Sequence, residues 1–253
     1  LLTLVLLISL VSIGCSTKMI PHNGTFPFST MENPLSKRSA LKKSETKLLV
    51  KLEKELTYTP EDSANFEQIT NTLKPGDIIA FYMTHAEARD HLKKRKIQKI
   101  PYELFSFGHL ALIVSNPETS ASSSDFRLLQ VAMKQRSNAD SKLNYLKDKN
   151  WIVYRAPRGS INNKKLHAFT KHVCANENSA YSYTATFGLS NRGLHPNSTS
   201  DIKDKYTCST LVIAALHHAG FQLHAPRRNG YLDIITPRQV VDSWGSPLPL
   251  SKN

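Results

Sequence analysis

The chain has 253 residues, enough for one ordinary domain with an appendage. A hydrophobic fraction of 40% and a charged fraction of 21% provide for a sizeable core and exclude a chain too polar to fold. Lys and Arg number 33 against 20 Asp and Glu, and the resulting charge of +13 favours anionic partners such as phospholipid headgroups, lipopolysaccharide, acidic wall polymers or nucleic acid.

Residues 1–14 carry no charge and are almost wholly apolar, and Cys15 follows them. That length falls short of the about 20 residues of a membrane-spanning helix, but it suits the apolar region of an incomplete signal peptide. Ser12-Ile13-Gly14-Cys15 resembles the bacterial lipoprotein processing site, where the cysteine is diacylated and becomes the mature N-terminus. Cys15 is therefore expected to anchor the chain in lipid, and Ser16 after it points to the outer membrane; the alternative is an ordinary signal peptide cut nearby. Residues 15–42 mix Pro, Ser, Asn, Gly and Lys without periodicity and read as a tether, leaving 43–253 as the folded domain.

Within that domain Leu48, Leu49, Leu52 and Leu56 suggest an amphipathic helix ending before Pro60. Leu73-Lys74-Pro75-Gly76-Asp77 reads as a turn feeding the strand Ile78-Ile79-Ala80-Phe81-Tyr82. The polar stretch 84–99 is expected to be a helical insertion, and its Lys93-Lys94-Arg95-Lys96, with Lys99 nearby, is the densest basic segment and a candidate contact for an anionic surface. Further strands are expected over 110–114, 126–133 and 151–155, then a helix through Cys174 and an irregular passage over 176–205. Cys208 opens an apolar helix stopped by Gly220, and Thr236-Pro237 caps a last short helix.

The chemistry concentrates in two segments. In Tyr206-Thr207-Cys208-Ser209-Thr210-Leu211-Val212 the cysteine stands on the first helical turn, where the helix dipole and free N–H groups favour a thiolate and can hold an oxyanion. In Phe107-Gly108-His109-Leu110-Ala111-Leu112-Ile113-Val114 a histidine opens a buried strand beside a glycine. Gln130, within the next strand, is placed to orient the His109 ring. Cys174 borders a helical apolar stripe and reads as a core residue; the alternative is a Cys174–Cys208 disulfide. His217, His218 and His224 form a weak candidate metal cluster, and His-Glu-x-x-His, Cys-x-x-Cys and Gly-rich phosphate-loop motifs are missing from the sequence, so no metal or cofactor is expected.

Pro75-Gly76-Asp77-Ile78-Ile79, Gly108-His109-Leu110-Ala111-Leu112-Ile113, Leu129-Gln130-Val131-Ala132, Tyr206-Thr207-Cys208-Ser209-Thr210-Leu211-Val212 and Ile235-Thr236-Pro237-Arg238-Gln239-Val240 resemble, in that order, the landmarks of the circularly permuted NlpC/p60-like papain-type hydrolases, the YiiX/YaeF lipoprotein group among them. The resemblance implies an α+β papain-like domain, an antiparallel sheet packed against the helix that carries the cysteine. It implies Cys208 as nucleophile, His109 as base and Gln130 as the third polar residue, with a helix N–H, Tyr206 and Ser209 serving the oxyanion. Relatives often carry Glu where this chain has Gln130, and Glu after the Cys-Ser pair where it has Thr210. The implied activity is hydrolysis of amide bonds by a cysteine peptidase or amidase on peptidoglycan peptides, at the periplasmic face of a bacterial outer membrane. Two alternatives stay open: an acyltransferase, phospholipase or thioesterase acting on acyl lipids, and an inactive wall- or lipid-binding lipoprotein. Nucleic acid is not an expected partner, since no aromatic-basic recognition motif is present.

Overall fold

A computed structural model describes residues 49–84, 86–87, 89–90, 107–182, 194–224 and 235–248. These all belong to one compact unit. The leader, Cys15, the tether and the basic segment from Lys93 to Lys99 lie outside the described residues.

Eleven strands and four α-helices are defined among the described residues: β1 (Val50–Lys51), β2 (Glu53–Tyr58), α1 (Phe66–Thr70), β3 (Ile78–Tyr82), β4 (Phe107–Ser115), β5 (Phe126–Gln130), β6 (Asn138–Lys142), β7 (Trp151–Arg155), α2 (Asn163–Ala175), β8 (Ala180–Tyr181), β9 (Lys205–Tyr206), α3 (Cys208–His218), β10 (Phe221–His224), α4 (Pro237–Val241) and β11 (Trp244–Pro247). The arrangement is α+β. Six strands form the main sheet in the order β2-β7-β3-β4-β5-β6, every neighbour antiparallel. A smaller antiparallel sheet has the order β1-β11-β10, and β8 and β9 pair in parallel.

Strand alternation sorts the core into two layers. Ile78 and Ala80 of β3 and Leu110, Leu112 and Val114 of β4 face one cluster, which takes in Leu166, Phe169 and Val173 of α2, nearly all of α3, and Val240 and Val241 of α4. Ile79, Ala111, Ile113, Leu128, Trp151 and Val153 point the other way, against Tyr58, Phe66, Leu73 and Leu146. Both faces are covered, so β3 and β4 read as continuous apolar runs instead of alternating ones. For the same reason α3, buried from Cys208 through His217, is apolar on all sides.

The segment expected as a leucine helix before Pro60 is instead β1 and β2. Leu52 packs in the first core cluster and Leu56 and Tyr58 in the second, so the leucines do not share the single face that their helical spacing suggests. A bulge between Lys54 and Leu56 turns Glu55 toward Arg155. The strand expected over 126–133 ends at Gln130, followed by a turn in which Lys134 takes φ 64°, and the passage over 176–205 contains β8 and β9. Of the expected insertion over 84–99, residues 86, 87, 89 and 90 are helical, with Thr84 and Glu87 bonding each other reciprocally as a capping box.

The turn before β3 is held by charge. Gly76 takes φ 94°, which suits a residue without a Cβ. Asp77, almost wholly buried, accepts from Lys74 N at 2.8 Å and from the Arg155 fork at 2.7 Å on each oxygen. Arg155 also reaches Glu55 and the Thr72 carbonyl, so one guanidinium ties β2, β7 and the turn together.

Candidate active site around Cys208, His109 and Gln130

The N-terminus of α3 is fixed by its own sequence. Thr207 is the N-cap: its hydroxyl accepts from Thr210 N at 3.2 Å, and Thr210 Oγ1 accepts from Thr207 N at 2.8 Å. Thr210, which stands where the resembled family often has Glu, is thus the closing residue of a capping box. This capping takes up the Thr210 N–H and leaves the N–H groups of Cys208 and Ser209 beside the sulfur, where they pull the thiol pKa down. The Leu110 N–H of β4 also points at the sulfur, and contributes more than either. Burial outweighs all of these and pushes the Cys208 thiol above its ordinary pKa, so the resting group is a protonated thiol. The helix-end environment alone, which favours a thiolate, does not decide its state. Cys208 and Cys174 are both free. Cys174 packs at the edge of the first core cluster, and burial pushes its thiol up to about 12.

His109 and Gln130 come together as neighbouring antiparallel strands allow. The β4–β5 ladder runs from Ser115↔Phe126 to Leu112↔Leu129. Beyond it, Gln130 Oε1 lies 3.1 Å from His109 Nε2, and Gln130 Nε2 donates to Ser141 Oγ of β6 at 3.0 Å. The imidazole stacks on Phe81, its register partner in β3, with ring centres 5.6 Å apart. Burial lowers the His109 pKa and the Gln130 bond opposes that, leaving the ring neutral at physiological pH. With Nε2 engaged, Nδ1 is the nitrogen left for another partner.

No hydrogen bond joins Cys208 to His109. His109 follows the alternation of Ala111 and Ile113, on the Phe81 side of β4, while the thiol is reached by the backbone of the next residue, Leu110. The structure therefore brings His109 to Gln130, and Cys208 to the peptide beside His109, with thiol and imidazole both neutral and uncoupled. Tyr206 is fully buried and its hydroxyl accepts from Lys203 N at 2.9 Å, which commits it to the turn before β9. Ser209 is buried with its hydroxyl near enough to lower the thiol pKa, yet without a well-formed hydrogen bond among the described residues.

Among the described residues no group of three or more His, Cys, Asp or Glu side chains is placed to hold a metal, and no helix is long and apolar enough to cross a membrane. His217 and His218 point apart, as neighbours on a helix must: His218 lies near Phe169, while His217 lies 4.7 Å from the His195 ring. Burial, with His195, His218 and His224 close by, lowers the His217 pKa to about 4.

Three features of the site have little signature in the sequence. The Leu110 N–H is a backbone group, Thr210 acts by capping, and Ser141 sits in β6, whose Asn138-Ala139-Asp140-Ser141-Lys142 shows no apolar alternation. The Thr207-x-x-Thr210 spacing is the signal from which that cap could have been read. Comparison of the chain with protein-family models, with curated proteins and with solved structures gives no match.

Proposed function

We propose that this protein is a cysteine hydrolase of amide bonds, with a papain-like domain of the permuted NlpC/p60 type acting on peptidoglycan peptides in the bacterial cell envelope. The observation that carries the reading is the placement of Cys208 at the start of a capped helix, with the Cys208, Ser209 and Leu110 N–H groups around its sulfur and the His109–Gln130 pair on the adjoining strand residue. In this reading His109 Nδ1 takes the thiol proton and the sulfur attacks the scissile carbonyl. The N–H groups at the helix start hold the oxyanion, and His109 then protonates the departing amine. Water, deprotonated by the same nitrogen, attacks the thioester carbonyl and restores the thiol. The free protein holds the thiol in the first core cluster and the imidazole on the Phe81 side of β4, so the cycle requires the His109 ring to turn toward the sulfur when substrate binds.

The test is mass spectrometry of muropeptides and, in parallel, of phospholipids after incubation with the protein. Turnover that disappears in Cys208→Ala and in His109→Ala supports the reading; turnover retained in Cys208→Ala overturns it. Cleavage confined to lipids moves the same chemistry to acyl substrates. One observation favours a non-catalytic reading, a wall- or lipid-binding module with a relic site: the thiol is raised by burial and makes no hydrogen bond with His109. That reading expects undiminished ligand binding by Cys208→Ala and no turnover by either protein.

A further inference from the structure

Met133, Tyr145 and Trp244 are the large apolar side chains that stand exposed among the described residues. Tyr145 meets Phe81 and lies under the Lys149 ammonium, and Met133 belongs to the turn after β5. Trp244 is placed differently: it stands on β11, the middle strand of the small sheet, and is 51% exposed. The register fixes what surrounds it. Val50 and Leu223, both opposite Gly245, face the first core cluster, and Gly245 leaves room there for the Phe221 ring. One residue along, Lys51 and His224 both lie opposite Trp244, and all three are exposed. Directly opposed residues of antiparallel strands point to the same face, so the sheet presents an indole between an ammonium and an imidazole.

An exposed indole gains by leaving water while its N–H keeps a polar partner, a compromise offered at the headgroup level of a bilayer, where tryptophans concentrate. A lysine beside it is drawn to anionic headgroups. Among the described residues no carboxylate pairs with Lys51. Of the acids close by in sequence, Asp242 is held by Arg238 at 2.6 Å, and Glu53 lies opposite Arg155 in the main sheet. The surface also includes β1, the first described strand, and the sequence before β1 leads back to Cys15, the residue expected to carry lipid. The charge of +13 agrees in sign.

We infer that the row Lys51, Trp244 and His224 on the small sheet is a contact surface for an anionic phospholipid bilayer, with the indole at headgroup depth. It supplies a second contact beside an acyl anchor at Cys15, and two such signals hold a chain on a bilayer where one binds reversibly. The contact is independent of whether Cys208 is a nucleophile.

The chain has two tryptophans and Trp151 is fully buried, so indole fluorescence reports on Trp244 once the signal of Trp244→Phe is subtracted. The full chain is mixed with vesicles of phosphatidylglycerol and of phosphatidylcholine brominated on its acyl chains. Trp244 emission is expected to shift to the blue and to be quenched, and brominated vesicles of phosphatidylcholine alone should quench it less. Lys51→Gln is expected to lower the ratio of inserted to free Trp244 about fivefold, the share of one lysine at an anionic surface. Trp244 emission unchanged by the anionic vesicles overturns the inference, and so does quenching that is equal with neutral lipid or equal in Lys51→Gln. Shielding of Trp244 from acrylamide that grows with protein concentration, without vesicles, would assign the surface to a second copy of the chain. Shielding by soluble glycan strands, without quenching by brominated lipid, would assign it to the wall. Either result overturns the membrane contact.

Discussion

Replacing Gln130 by Glu isolates the electrostatics of the site. In the native protein the imidazole is buried, its pKa is lowered, and the single compensating contact is a neutral amide at 3.1 Å. A carboxylate in that position adds an opposite charge next to the ring. Two unit charges about 4 Å apart interact by about 4 kcal/mol at an effective dielectric near 20. At about 1.4 kcal/mol per pKa unit this sets a ceiling of about 3 units. Desolvation of the new carboxylate consumes part of that, so a rise of about 2 units is expected, within the 1–3 units usual for a close opposite charge. His109 should then titrate above its native value, so that the imidazolium persists to higher pH than in the native protein. In the proposed cycle the ring reaches the thiol, so a cationic ring lowers the Cys208 pKa in turn, and carboxymethylation of Cys208 should persist to lower pH than in the native protein. NMR titration of His109 and the alkylation rate against pH measure the two ends of this argument. A His109 pKa that stays put or falls would refute the placement of Gln130 against the ring. A raised His109 with an unmoved Cys208 profile would show that thiol and imidazole do not communicate.

Two further perturbations test the scaffold. Asp77→Ala leaves the Arg155 guanidinium without its two-point partner and frees Lys74 N at the turn before β3; since Arg155 keeps Glu55 and part of its exposure, the loss is expected at about 3 kcal/mol, at the lower end for a broken buried pair, and appears as a lower urea midpoint with unchanged m. A midpoint within experimental error of the native one would remove Arg155–Asp77 from the account of stability. Acidification should destabilise the fold through His217, whose pKa falls to about 4 in the folded protein against about 6.5 in the unfolded chain. The unfolded state takes up the proton first, so the contribution is full above pH 6.5 and is lost as pH falls toward 4. The shift alone caps the loss at about 3 kcal/mol. His217→Gln should flatten the stability-against-pH curve between those limits, and a curve unchanged in slope would show that other groups carry the acid response.

Much of the architecture is legible in the sequence where local signals agree. Ile78–Tyr82 and Trp151–Arg155 are short β-branched and aromatic runs between turn residues, and the structure has strands at those positions. Gly220, at φ 101°, ends α3, and Thr236-Pro237 begins α4 with the hydroxyl accepting from Gln239 N. The leucines before Pro60 mislead because their helical spacing hides a bulge that sends Leu52 and Leu56 to opposite faces. β6 and β11 are hidden for a different reason. Their residues, Trp244 apart, are polar or small, and the neighbours they pair with, not their own composition, make them strands. In β11 a Cβ on Gly245 would lie 2.5 Å from the Phe221 ring, so the residue that discourages a strand reading is the one that lets the ring pack. The site divides in the same way. Cys208 at a helix start and Gln130 beside His109 follow from periodicity and strand adjacency. The protonated state of the thiol does not, because it depends on how deeply the first core cluster closes over the sulfur.

The pairing of β1 with β11 has a consequence for how the chain reaches its fold. Val50 lies opposite Gly245 and Lys51 opposite Trp244, so the first described strand is held by the last, and β10 completes the sheet on the other side. On a ribosome, β1 emerges long before its partner exists, and it stays an open edge until Trp244–Pro247 has been made. Contacts this far apart along the chain close late and slowly. A nascent chain, or one broken off before β11, therefore exposes an unpaired strand beside an unfinished core. Such chains carry the exposed edges and apolar surface that chaperones and proteases recognise.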